Sequence, residues 1–200
     1  VADLFIYSNT VQVLKLSGRE VKEWLEMSAG QFNQIQPGSK DAAIINPDFP
    51  SYLYDVLDGV SYQIDVTKPA RYDAKGNLIN ANSQRIVNLT FQGKAIDLSQ
   101  SFLVITNNYR AGGGGNFPAA IKENIVIDAP NENRQVVADY LIAKTQENAA
   151  GLNPSADMNW SFAPIADTTV VFRSSGEESA QQFANAADNM EFIELDSEGY

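Results

Sequence analysis

The sequence predicts an α+β domain in which a mixed β-sheet carries packed helices, and three observations predict it. Short apolar or alternating runs of strand length recur along the chain, several joined by turn residues such as Asp58-Gly59 and Gln92-Gly93-Lys94. One early segment instead has helical spacing behind a capping signal. Apolar residues make up 44% and charged residues 20%, the balance of a globular chain, and 200 residues suffice for a sizeable core in one domain.

Taken in order, residues 9–16 alternate as a strand. Ser17 then starts a helix with Glu20 three positions on, and Val21, Trp24, Leu25, Ser28 and Phe32 form its inward stripe before it fades near Asn33 and ends at Pro37-Gly38. Residues 36–58 read as a long loop with Pro37, Pro47, Pro50 and the aromatics Phe49, Tyr52 and Tyr54. Strands follow at 60–66 and 85–91, separated by a polar segment with a hairpin tip at Lys75-Gly76-Asn77. The run Phe102-Leu103-Val104-Ile105-Thr106 reads as a buried strand, and Ile125-Val126-Ile127 as a short one. Pro130 and Asn131 lead into a helix with Glu132 in its first turn and Val136, Val137, Tyr140 and Leu141 on one face, closed by Gly151 and Pro154. Strands around Trp160 to Phe162 and Val170 to Phe172, a polar helix from about Glu177 to Asn189, and a strand at Phe192-Ile193-Glu194-Leu195 complete the chain.

Composition narrows the chemistry. A net charge of −11 argues against a nucleic-acid polymer or an anionic membrane as partner, since both need clustered Lys and Arg. No run approaches the roughly 18 apolar residues that a membrane-spanning helix needs. The chain has neither Cys nor His. Serine and cysteine triads lack their usual base, and zinc loses its preferred ligands. Catalysis by this chain alone is not expected, and no metal site is read from its carboxylates. The opening inside an apolar segment, Leu4-Phe5-Ile6-Tyr7, is expected to be a cut from a longer protein.

The densest signal is Asn107 to Phe117, a Tyr-Arg pair followed by Gly112 to Gly115. Consecutive glycines admit positive φ and close approach of a ligand, and Tyr109 offers a flat face beside them. The run is not a phosphate loop, because Asn116-Phe117-Pro118 follows where Lys-Ser or Lys-Thr is required. By these residues alone a solvated hairpin loop is the favoured reading. Asn88-Leu89-Thr90 and Asn159-Trp160-Ser161 match glycosylation sequons, which chance explains in strands.

Several longer stretches carry a resemblance: Ser17 to Glu26, Ser28-Ala29-Gly30-Gln31-Phe32-Asn33, Asp58 to Val66, Pro69 to Asp73, Ile79 to Asn82, and Asn107 to Ala111. In this order they resemble the C-terminal domain of the 5'-nucleotidase family, in its bacterial periplasmic branch of 2',3'-cyclic-nucleotide 2'-phosphodiesterase/3'-nucleotidases. The resemblance implies that residues 1–200 are the substrate-binding half, shortened at its start, of a periplasmic hydrolase. A metallophosphoesterase domain with two divalent metal ions would precede it. It further implies a base stacked between Tyr7 and Tyr109, with Asn9 at the base edge and Gly59 against the base. No catalytic or metal-ligating residue is expected in this chain. Where family members carry an Asp in the glycine loop this chain has none, which leaves Asn116 or backbone groups for the ribose. Two alternatives are a noncatalytic ligand-binding or structural module and the C-terminal domain of a 5'-nucleotidase or nucleotide-sugar hydrolase. The long 36–58 segment, matching the cyclic phosphodiesterase branch, speaks against the second.

Overall fold

A computed structural model describes residues 4–147, 152, 155–187, 190–194 and 197. Its elements run in the order β1 (Thr10–Ser17), α1 (Gly18–Ser28), β2 (Ala42–Ala43), β3 (Val60–Ile64), β4 (Ile86–Phe91), β5 (Lys94–Ala95), β6 (Ser101–Asn107), α2 (Asn108–Ala111), β7 (Ile125–Glu132), α3 (Asn133–Glu147), β8 (Trp160–Phe162), β9 (Val170–Val171) and α4 (Glu178–Ala186). The strands form a three-stranded sheet β6-β1-β7, a four-stranded sheet β5-β4-β3-β8, and a small parallel pair β2-β9. Parallel pairing of β3 with β8 makes the larger sheet mixed. The α+β expectation is met.

α1 organises the core because it is buried on two sides. Ser17 caps it as the sequence predicts: its hydroxyl accepts the Glu20 N–H at 3.3 Å, and the Glu20 carboxylate accepts the Ser17 N–H at 2.7 Å. Val21, Trp24 and Met27 pack with Leu14 and Leu16 of β1 and with Phe49, Leu53 and Phe117. Leu25 and Ala29 pack instead with Val60, Tyr62, Ile64, Ile86 and Leu89 of the larger sheet. Each fully buried aliphatic or aromatic side chain stabilises the fold by about 1.5–3 kcal/mol. One helix therefore joins two sheets.

A buried polar pair fixes that joint. The Glu26 carboxylate, 1% exposed, accepts the N–H groups of Arg85 and Ile86 at 2.9 Å each, where β4 begins. The Arg85 guanidinium, equally buried, donates to the carbonyls of Ala29 and Phe32 at 2.7 Å, where the helix runs out. Burial raises the Glu26 carboxyl pKa against those hydrogen bonds, and burial lowers Arg85 to about 10.

Several boundaries differ from expectation. α1 ends at Ser28 and a 3₁₀ turn at Ala29–Gln31 takes over, so Phe32 is buried from an extended backbone. Within 36–58 lie β2 and a 3₁₀ turn at Ser51–Leu53. The run at 102–106 is buried on one face only: Phe102 and Val104 pack on the core, whereas Leu103 and Ile105 are 67% and 72% exposed. A continuous apolar run cannot reveal this, because only the covering layer decides it. Pro130, Asn131 and Glu132 belong to β7, not to a helix start. Among the described residues β7 pairs only with β1, and an edge strand tolerates the missing N–H of proline. The face of α3 bearing Val136, Tyr140 and Leu141 is exposed. Residues 192–194 form no strand, while Leu195, Gly151, Pro154 and Asn189 lie outside the described residues.

Candidate functional site

The antiparallel register of β1 and β6, Val11 opposite Asn107, brings the start of β1 to the end of β6. Tyr7-Ser8-Asn9 precede β1 and Asn108-Tyr109 follow β6, so segments a hundred residues apart in sequence share one end of a sheet. The Asn108 side chain fastens them, its Oδ1 accepting the Thr10 N–H at 3.0 Å. On the other flank the Asn9 carbonyl accepts the Asn133 N–H at 2.9 Å, and the Arg134 guanidinium donates to the Ser8 hydroxyl. Both tyrosines face solvent: Tyr7 is 72% exposed and Tyr109 50% exposed. Among the described residues their rings make no contact with each other.

Tyr109 is held by its loop. Asn107 caps α2, its Oδ1 accepting the Arg110 N–H at 2.8 Å. Gly113 and Gly115 take φ of +99° and +78°, which a side chain would resist. Gly114 serves another purpose: a Cβ there would lie 2.6 Å from Cε1 of Tyr109 and 2.5 Å from its carbonyl oxygen. The loop folds back onto the edge of the tyrosine ring, and only glycine permits that approach.

The remaining residues fall out differently. Asn116 is exposed, at φ +55°, with its carbonyl turned against Gly76 of the 75–77 tip. Gly59 closes the turn into β3 at φ +81°, and a Cβ there would meet open space. Tyr7, Asn9 and Tyr109 therefore share one sheet end, and Asn116 lies further along the Tyr109 loop. Gly59 belongs to the other sheet, with no hydrogen bond to the Tyr109 loop among the described residues.

The sequence reading gave Asn107, Asn108, Asp55 and Arg110 no role of their own. The Asn doublet after an apolar run carried a capping signal that could have been found. The pairing of Asp55 with Arg110, 2.8 Å apart across 55 positions, left no local trace. Among the described residues no three His, Cys, Asp or Glu side chains cluster as metal ligands, and no helix is long and apolar enough to cross a membrane.

The chain has relatives among known proteins. The family model for the 5'-nucleotidase C-terminal domain matches residues 1–122, and the chain belongs to that family. It is 52% identical over its full length to a trifunctional nucleotide phosphoesterase protein, YfkN, of Bacillus subtilis, of which it covers 13%. It is 49% identical over 187 residues to a 2',3'-cyclic-nucleotide 2'-phosphodiesterase/3'-nucleotidase of Haemophilus influenzae, covering 91% of this chain and 28% of the relative. The chain thus spans less than a third of the length of these curated relatives. A 5'-nucleotidase crystal structure from Staphylococcus aureus superposes with a TM-score of 0.59 at 29% identity, over 86% of this chain and 29% of that one. A 5'-nucleotidase precursor from Thermus thermophilus, at 17% identity and TM-score 0.57 over 82% of this chain and 27% of that one, shares the fold.

Proposed function

We propose that this chain is the nucleoside-recognition domain of a larger periplasmic hydrolase that opens 2',3'-cyclic nucleotides to 3'-nucleotides and cleaves these to nucleoside and phosphate. The base is held between the rings of Tyr7 and Tyr109, with Asn9 at its edge, Gly59 against it, and Asn116 or nearby backbone groups toward the ribose. Stacking suits a broad substrate range, because every base has a π-face, and it contributes about 1–3 kcal/mol per base. The observation that carries this reading is the Asn108 bond to Thr10, which fastens the strand following Tyr7 to the turn bearing Tyr109, with both rings exposed.

Phosphate chemistry belongs elsewhere in the parent protein. Its two divalent metal ions would be held by a phosphoesterase domain in cis, and no step is routed through the residues present here. What this domain supplies is base affinity and orientation. Titration of adenosine and 3'-AMP by calorimetry against both the 200-residue chain and the parent protein tests the assignment. Binding to either, weakened about 5- to 150-fold by Tyr109→Ala, is expected; no binding to either would overturn it.

A further inference from the structure

The side chain of Arg110 points away from solvent although its neighbour Tyr109 faces it. Only 5% exposed, it forms a fork with Asp55, Nε at 2.8 Å from Oδ2 and Nη2 at 2.9 Å from Oδ1. The same guanidinium donates to the carbonyls of Tyr52 at 3.0 Å and Gly114 at 2.5 Å. It lies 4.0 Å from the centroid of Phe117 and 5.8 Å from that of Tyr109. Asp55 is itself fixed to α1: Trp24 Nε1 donates to Oδ2 at 3.0 Å, and Ser28 Oγ bridges the Asp55 N–H and carbonyl at 2.6 Å each. A continuous path thus runs from the core helix through Asp55 and Arg110 to Gly114, whose backbone abuts the Tyr109 ring.

No residue from Gly112 to Asn116 is buried, and apolar packing anchors the loop at its ends, through Ala111 and Phe117. We infer that Arg110 and Asp55 are positioning residues: they set the pose of Tyr109 and Gly114, and thereby base affinity, without contact to the nucleoside. This rests on the stacking reading above. Arginine is specific to the task, since its planar fork meets a carboxylate with two parallel bonds while a further N–H reaches the loop carbonyl. A Cβ on Gly115 would lie 2.2 Å from Nη1, so the loop is shaped to the guanidinium as well as to the ring.

Arg110→Lys and Asp55→Asn in the parent protein, with Tyr109→Ala alongside, test the inference through KM and kcat on a 3'-nucleotide and on glycerol phosphate, which has no base. KM for the nucleotide is expected to rise about 5- to 30-fold in both pair variants, a fraction of one stacking contact, with a smaller change on glycerol phosphate. A pair serving stability alone would lower the melting temperature and leave KM of the folded enzyme unchanged, and that result overturns the inference. If Tyr109→Ala raises KM while the pair variants do not, positioning fails and the slot stands. If Tyr109→Ala changes nothing, both fail. Should Arg110→Lys not fold, Asp55→Asn, which keeps shape and one acceptor oxygen, decides alone.

Discussion

Asn108 Oδ1 accepts the backbone N–H of Thr10 at 3.0 Å, joining two points 98 residues apart. The bond ties the strand that follows Tyr7 and Asn9 to the turn that carries Tyr109. Neither tyrosine is buried, so this polar contact helps fix the alignment of the two segments.

Asn108→Ala should therefore weaken nucleoside binding more than it weakens the fold. The lost hydrogen bond is worth about 0.5–1.5 kcal/mol in stability. Chemical denaturation and nucleoside titration on one preparation check this. Equal losses in both would assign Asn108 a purely structural part.

Gly114→Ala should displace the loop from Tyr109, because the added methyl would meet the ring at 2.6 Å and a backbone oxygen at 2.5 Å. Overpacking of this kind costs about 1–3 kcal/mol. Thermal unfolding should show that loss, and nucleoside affinity should fall with it. Unchanged affinity would mean that the loop does not shape the slot.

These residues also show what was legible beforehand. Ser17 and Glu20 announced their helix because a capping box spans four positions, and Trp24 fell on its stripe and is 1% exposed. Gly113 and Gly115 take the positive φ that a glycine run suggests. Arg110 and Glu26 were invisible, since their partners stand 55 and about 60 positions away and nothing local distinguishes them from solvated charges. Leu103 and Ile105 misled for a related reason: exposure depends on which face another layer covers. Within the site, Tyr109 stood out beside the glycine run, Tyr7 and Asn9 came from resemblance to a family, and the fastening by Asn108 came only from tertiary geometry.

Glu26→Ala should be among the most destabilising single changes. It leaves the Arg85 and Ile86 N–H groups unpaired in the core, and each buried donor left without a partner costs about 1–3 kcal/mol. A urea midpoint lowered accordingly would agree. A loss below about 1 kcal/mol would mean that water or a rearranged side chain replaces the carboxylate.

The pH dependence of stability should carry an acid limb from Glu23. Partial burial pushes its pKa up, but hydrogen bonds from Arg71 and Tyr72 outweigh that and hold it below the usual carboxylate range. A depressed folded-state pKa gives stability present above the unfolded value and lost as the pH falls through the folded one. The stability gap between the wild type and Glu23→Gln should thus narrow from pH 6 to about pH 3. A gap constant across that range would contradict the assignment.

The central claim is that a nucleobase stacks on Tyr109, and KM of Tyr109→Ala in the parent protein tests it most directly. For adenine, guanine, cytosine and uracil 3'-nucleotides alike, KM should rise about 5- to 150-fold, one stacking contact, with kcat little altered. An unchanged KM for all four bases would contradict the account.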